Sequence, residues 1–480
     1  MILYDIIYYI WLNFNYTVEN AMITNCADKL RPVENKLKSF IFSKYFTITL
    51  FALGAFFAFI GAEVFGTLVF ALIITMTFAL TDDFIPVLEG IMFVTCFAIR
   101  CKNSFDDFIK FWWMAPPIVI FFLLHFFRYK VKFAKGKCFG GILAASIATT
   151  IGGLGSLSLK EYFSPTSLFF VFLLGFGMLL IYMYLSATLK IRDEYVFSQR
   201  IAFMMTAIIL FLFVCVFEEY FSRRAEFLAN PDVLAFQWRN NASTILMLAM
   251  PFPFMLSVKK FPYFFVGILS YITILCTGSR GGMIFGLVEL VICIVFTLVV
   301  DKPHRKHIFA FLGVAAGCAL IAIKPIIDML SYTLGRLVDF NENTIRLQLI
   351  ERGWGDFKSN VLFGRGLGYM GNSDVHNNAK FTLCWYHCSP IQIIGSFGLV
   401  GVAAYGYLII NRIKVLKENV SLFNLFVFIS YIGLELMSLV NPGIFCPFPY
   451  LFLITLYMVA IEKCTPDNER TTLKKIIKHQ

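Results

Sequence analysis

The chain has 480 residues, 59% of them hydrophobic and 17% aromatic against 15% charged, and its mean hydropathy is +0.76. A water-soluble domain has no interior large enough to hide that much apolar surface, so soluble globular classes are excluded. The net charge of +11 does not point to nucleic acid either, because Lys and Arg sit in short groups at the ends of apolar runs.

The first stretch, MILYDIIYYIWLNFNY, carries an acidic residue and has neither a basic n-region nor a small-residue cleavage site. It reads as an aromatic segment lying in the membrane interface rather than as a removable signal peptide. Apolar runs of about 16 to 22 residues follow, the length a helix needs to cross roughly 30 Å of hydrocarbon. In the first half they fall at 40–60, 64–80, 84–100, 111–127, 139–157, 167–187 and 201–218. In the second half they fall at 242–258, 261–277, 282–300, 307–326, 389–410, 421–440 and 447–461. The count is 14, or 12 if the short run bearing Glu89 and one of the closely spaced early pair are re-entrant or interfacial. The expected fold is an all-α polytopic transmembrane helical bundle of 12–14 spans.

Alternate loops must share a side of the membrane, and only one side collects Lys and Arg. One set of loops holds Lys29 to Lys38, Arg128 to Lys137, Lys190 with Arg192, Lys259 with Lys260, Lys302 to Lys306, Arg412 to Lys417 and the tail from Lys463. These are assigned to the cytoplasm, which puts both termini there. The alternate set faces outward: 219–241, the Thr277 to Gly282 turn, 441–447 and one large segment at about 328–388. Arg100, Lys102 and Lys110, and also Arg223 and Arg224, fall on the outer side against the trend. The large loop contains Gly353-Trp354-Gly355, Gly364-Arg365-Gly366-Leu367-Gly368 and an Asn/Asp-rich stretch around 372–378, a composition that predicts one or two short helices separated by tight turns. No internal repeat is visible, which weakens a transporter built from two related halves. The chain divides into N-terminal spans at 1–235, a central region at 236–410 that includes the loop, and C-terminal spans with a basic tail at 411–480.

Polar residues on the outer face carry the chemical interest, because topology disfavours positive charge there. Arg239 lies in Trp238-Arg239-Asn240-Asn241, Arg280 in Thr277-Gly278-Ser279-Arg280-Gly281-Gly282, Arg346 within the large loop, and His387 in Trp385-Tyr386-His387-Cys388-Ser389. Guanidinium binds phosphate oxygens bidentately, so arginines converging at a membrane surface suit a lipid-linked phosphate or pyrophosphate. The alternative is that each arginine snorkels at a helix end or pairs with a loop carboxylate. His387 is a general-base candidate at near-neutral pH. His125, in an apolar run, reads as packed core; His304, His307 and His479 read as solvated charge, and His376 is the other outer histidine. Trp385 and Tyr386 either stack on a sugar ring or anchor the interface. Most of the 12 cysteines, Cys96, Cys215, Cys276, Cys293 and Cys318 among them, lie in apolar runs and act as small hydrophobes. Cys384, Cys388, His376 and His387 lack the spacing of a metal site, and a helical stretch makes a Cys384–Cys388 disulfide awkward. Glu89, Glu289 and Glu435 lie inside apolar runs, where carboxylates mark ion paths or bond to Ser, Thr or backbone groups of neighbouring helices.

In this order and spacing the residues resemble the O-antigen ligase and polymerase superfamily of membrane glycosyltransferases. The matching blocks are Arg239-Asn240 with Pro251 and Pro253 downstream, Ser279-Arg280-Gly281, Arg346 followed by Gly353-Trp354 and 360–368, and His387 followed by Gly398-Leu399-Val400-Gly401. The likeness covers about 236–408; Cys388 stands where the family usually has Asn. The resemblance implies that Arg239, Arg280 and Arg346 bind the pyrophosphate of an undecaprenyl-pyrophosphate-linked glycan donor and that His387 activates an acceptor hydroxyl. Asn240, Ser279, Gly281, Arg365 and Trp385 are supporting residues, and neither metal nor cofactor is required. It also implies a bacterial cytoplasmic membrane protein with its site on the extracytoplasmic face, a glycan or lipid-linked acceptor, contact with membrane lipids, and polysaccharide-export or chain-length partners. Polymerase is the first expectation and ligase the close alternative. A lipid-linked oligosaccharide flippase and a non-catalytic envelope scaffold are the alternatives of other classes.

Overall fold

The computed structural model describes residues 21–99, 109–154, 165–191, 193–229, 239–321, 324, 340–367, 385–418 and 420–464. The expectations for the N-terminal aromatic stretch, Arg100, Lys102, Arg192, Trp238, Gly368, 372–378, His376, Cys384 and His479 fall outside them. Among the described residues there are helices and no strands. They form two compact units, Met1–Lys132 with Ala187–Lys190, and Phe133–Ser186 with Ile191–Gln480.

In the first unit, α1 (Ala21–Ile41) and α2 (Lys44–Phe59) are separated by a short break, and the axes of Arg31–Ile41 and Lys44–Phe59 differ by 76°. Ser43 at the junction is extended, so the apolar run at 40–60 straddles the break, with Phe40 and Ile41 on α1 and Lys44–Phe59 on α2. α3 (Glu63–Leu80) packs on α4 (Ile85–Ala98) and on α5 (Ala115–Arg128). Glu89 on α4 accepts a hydrogen bond from Thr47 (2.9 Å), which satisfies one oxygen of a carboxylate only 1% exposed. His125 is core, as its apolar setting suggests: its Nδ1 lies 2.7 Å from the Phe78 carbonyl and its ring stacks on Phe78.

The second unit holds α6 (Phe139–Leu154), α7 (Pro165–Phe172), α8 (Met178–Thr188), α9 (Glu194–Ser222), α10 (Arg239–Ala249), α11 (Pro251–Ser257), α12 (Tyr263–Thr277), α13 (Arg280–Val300), α14 (Arg305–Ile321), α15 (Phe340–Ser359), α16 (Ser389–Glu418), α17 (Leu422–Met437) and α18 (Phe452–Lys463). Side chains start several of them. Asp193, Ser279 and Ser421 accept N-cap hydrogen bonds from Val196, Gly282 and Asn424, each cap contributing about 1 kcal/mol. α12 stops where Gly278 takes a left-handed φ of +69°. Glu462 on α18 accepts from the N–H groups of Lys137 (3.0 Å) and Cys138 (2.9 Å), just ahead of α6, and from the Tyr182 hydroxyl (3.0 Å).

α13 shows what surrounds these helices. Its exposed stripe is Ile284, Leu287, Val288, Val291, Val295 and Val299, whereas its buried stripe carries Gly282, Gly286, Glu289, Cys293 and Thr297. Apolar residues outside and small or polar ones inside invert the pattern of a helix in water and suit a helix in lipid. Among the described residues, five helices are long and apolar enough to span a membrane, six if the bent pair of the first unit is one span, and five shorter apolar helices accompany them. The 12 to 14 apolar runs of the sequence outnumber these full-length helices because breaks divide or shorten the runs. Pro251 separates α10 from α11, whereas the π-turn at 173–177, with Gly175 outside helical φ/ψ, kinks Leu168–Thr188 without removing it from the full-length helices.

Three sequence expectations are corrected. The helix of the large loop is not short: α15 runs for 20 residues. His304 is not simply solvated charge, since fully buried Asp301 accepts from its backbone N–H (3.2 Å), pairs with its Nδ1 (2.9 Å), and its ring stacks on Phe261. Glu289 finds no Ser, Thr or backbone partner among the described residues; both oxygens are buried and face Gly433 on α17, where a Cβ would stand 2.5 Å from them. A buried polar group left unsatisfied costs about 1–3 kcal/mol. Glu289→Met is therefore expected to stabilise the protein by about 1 kcal/mol, read as a higher thermal midpoint in detergent; a lower midpoint would mean that the carboxyl has a partner. Arg412, grouped in sequence with Lys414 and Lys417, is likewise buried (3% exposed), its guanidinium against Tyr431 (Nη1 to hydroxyl 3.4 Å) beside a cavity of about 30 Å³ lined in part by Ser146, Tyr405 and Thr455.

Candidate active site

Two of the sequence blocks meet directly. Arg239 and Asn240 open α10, and Ser279 and Arg280 open α13. The Ser279 hydroxyl donates to Asn240 Oδ1 (2.9 Å) while accepting from the Gly282 N–H (3.2 Å). One turn deeper, the Ser243 and Thr277 hydroxyls are 2.8 Å apart. Glycine at 282 is required for this approach, since a Cβ there would come within 2.7 Å of Ser243. Two guanidinium-bearing first turns are thus held side by side, each at the partial positive charge of a helix N-terminus.

The His387 block joins the same end of the unit through the segment that follows α17. A Cβ at Gly281 would lie 2.7 Å from Val440. Ser389, at the start of α16, donates its N–H to the Ser438 carbonyl (2.8 Å) and its hydroxyl to the Pro442 carbonyl (3.0 Å). The N-terminal ends of α10, α13 and α16 and the C-terminal end of α17 therefore converge. His387 has φ +52°, the one positive φ outside glycine among the described residues. His is one of the few side chains that tolerate that region, and it is held there by its neighbours. Tyr386 before it is 2% exposed; its N–H donates to Gln392 Oε1 (3.0 Å) and its hydroxyl to Asp356 Oδ2 (2.6 Å).

Asp356 lies on α15, which packs on α16, and it pairs with Arg352 Nε (3.3 Å). Burial pushes its carboxyl above the usual aspartate range, against the opposing pull of the Tyr386 hydroxyl and the Arg352 charge. Arg346 stands on the same helix about 15 Å along the axis from Asp356. Trp385 packs edge-on to Phe170 and near Phe445, at ring separations of 6.0 and 6.5 Å, so part of its face is already used by protein.

The 360–368 and Gly398-Leu399-Val400-Gly401 motifs are two parts of one device. α16 is broken at Gly398 (φ +59°, ψ −152°), a conformation open essentially to glycine alone. The segment after α15 fits into the break: the N–H groups of Leu399 and Val400 donate to the carbonyls of Val361 (2.9 Å) and Leu362 (3.1 Å). In the other direction, those of Arg365 and Gly366 donate to Gly395 (2.8 Å) and Ser396 (3.0 Å). Gly364 and Gly366 take left-handed φ values of +67° and +91°, as the expected tight turns require. Arg365 Nε donates to the Ser359 hydroxyl at 2.6 Å. Sequence reasoning did not find Asp356, Gln392 or Ser389; the one signal for Asp356 was a carboxylate on an amphipathic loop helix.

The protein so defined is an integral membrane protein of apolar helices that gathers charged and hydrogen-bonding groups at the helix ends of one unit. A family model described as O-antigen ligase matches residues 265–406, which supports the O-antigen ligase and polymerase superfamily for this region and suggests a membrane glycan-processing enzyme. The match contains Arg280, Arg346, Arg365, Trp385 and His387; Arg239 and Asn240 precede it. No curated protein and no solved structure matches the chain.

Proposed function

We propose that this chain is a glycosyltransferase of the extracytoplasmic face that takes an undecaprenyl-pyrophosphate-linked glycan as donor and most readily extends a polysaccharide, acting as a polymerase. The observation that carries the reading is the Ser279–Asn240 hydrogen bond, which sets the Arg239 and Arg280 turns next to each other. Two guanidiniums at two helix N-termini match the charge that grows on a leaving polyprenyl pyrophosphate. Arg346, on α15, is assigned as the third cation of that set on the sequence resemblance. His387 takes the proton of the acceptor sugar hydroxyl as the glycosidic bond forms, and the polyprenyl pyrophosphate departs with the bonding electron pair. The apolar outer stripes of helices such as α13 leave room for the polyprenyl tail on the lipid side.

Incubation of the purified protein with one lipid-linked repeat unit tests this. A ladder of lengthening lipid-linked products is expected; a single transfer to a second lipid would make it a ligase, and unchanged donor redistributed across a vesicle membrane would replace transfer chemistry with transport. The ligase alternative rests on the family description, which names that activity.

A further inference from the structure

We infer that Asp356 and Tyr386 are positioning residues for His387, a role that rests on the reading of His387 as the base. His387 has a left-handed backbone that a free chain would leave readily, so its placement must be imposed from both sides. On the C-terminal side, Ser389 is tied to Ser438 and Pro442. On the N-terminal side, beside the ring packing of Trp385, stands Tyr386, buried and fixed at two points. Gln392 Oε1 takes its N–H at 3.0 Å while Gln392 Nε2 donates to Ser396 Oγ at 2.8 Å, and Asp356 Oδ2 takes its hydroxyl at 2.6 Å.

These contacts link the helix of the loop to the start of α16. Asp356 is 5% exposed on α15, and Gly353, one turn earlier, sits where a Cβ would press on Tyr386 and Ile391. The hydroxyl-to-carboxylate bond therefore fixes both the phenol and the distance between α15 and the His387 backbone. Arg346 lies on the same α15, so the one contact also sets the cation on that helix relative to the base. A carboxylate acceptor makes this bond stronger than one between neutral groups.

Tyr386→Phe removes only the hydroxyl, and Asp356→Leu removes the acceptor at similar volume. With lipid-linked donor under single-turnover conditions, each is expected to lower the rate of transfer about tenfold at saturation, with half-saturating donor changed less than twofold. In a His387→Ala background neither should cause a further loss, because the group being positioned is gone. A merely structural role would lower the His387→Ala rate by the same factor again, and that result, or a Tyr386→Phe enzyme with the wild-type rate, would overturn the inference. Full activity of His387→Ala alone would instead remove the assignment of His387 as base. Thermal midpoints measured alongside separate misfolding from misplacement: the non-additivity with His387→Ala decides wherever a variant melts lower.

Discussion

Replacement of Arg280 by alanine is expected to reduce glycosyl transfer by two to three orders of magnitude, about 3–4 kcal/mol of transition-state stabilisation, with little change in thermal midpoint. The large effect follows from position. Arg280 is the first residue of α13, so its charge adds to that of the helix N-terminus, and the Ser279–Asn240 bond places it beside the Arg239 turn. The small structural effect follows from the same geometry, since the N-cap is supplied by Ser279 and survives the substitution. Arg280→Lys keeps the charge but loses the planar pair of donors, and should recover only part of the rate. Single-turnover transfer from a lipid-linked oligosaccharide measures all three proteins. Wild-type turnover by Arg280→Ala would refute the pyrophosphate assignment; loss of activity in step with loss of folded protein would reduce Arg280 to a structural residue.

The second large effect is expected at Gly398. An alanine there must hold φ +59° and ψ −152°, a strain of about 1–3 kcal/mol, with its Cβ 2.5 Å from the Leu362 carbonyl carbon and the Val361 oxygen. Relief would require the loop segment to leave the break, taking with it the hydrogen bonds that Leu399 and Val400 make to it. Gly398→Ala is expected to yield protein that inserts but melts many degrees lower or elutes as aggregate. Gly406→Ala on the same helix meets nothing within 4 Å and should be neutral or stabilising by up to about 1 kcal/mol. Size-exclusion and thermal unfolding profiles of the two variants give the comparison; equal behaviour would mean that α16 can straighten at Gly398 without loss.

The helices were legible because apolar length is a strong signal, and Gly278 and Ser279 are recognisable stop and start residues. Breaks were much less so. The run from Ser389 to Glu418 keeps its apolar character through Gly398, and hydropathy carries no information about a single backbone dihedral. Interior partners were equally hidden: whether Glu289 meets a hydroxyl or Gly433, and whether Arg412 faces solvent or Tyr431, depends on how helices rotate against each other. For the candidate site, the order and spacing of the blocks identified the family, and the family match begins only at residue 265, after Arg239. The Asp356–Tyr386 bond joins residues 30 positions apart that no local pattern connects.

The hydroxyl of Ser279 has a consequence for how this end of the protein opens. It caps α13 and holds Asn240 with the same oxygen, so the first turn of α13 cannot fray while the first turn of α10 remains in place. The two turns form one cooperative opening unit, and an anion that protects the amides of either one from hydrogen exchange will protect those of the other.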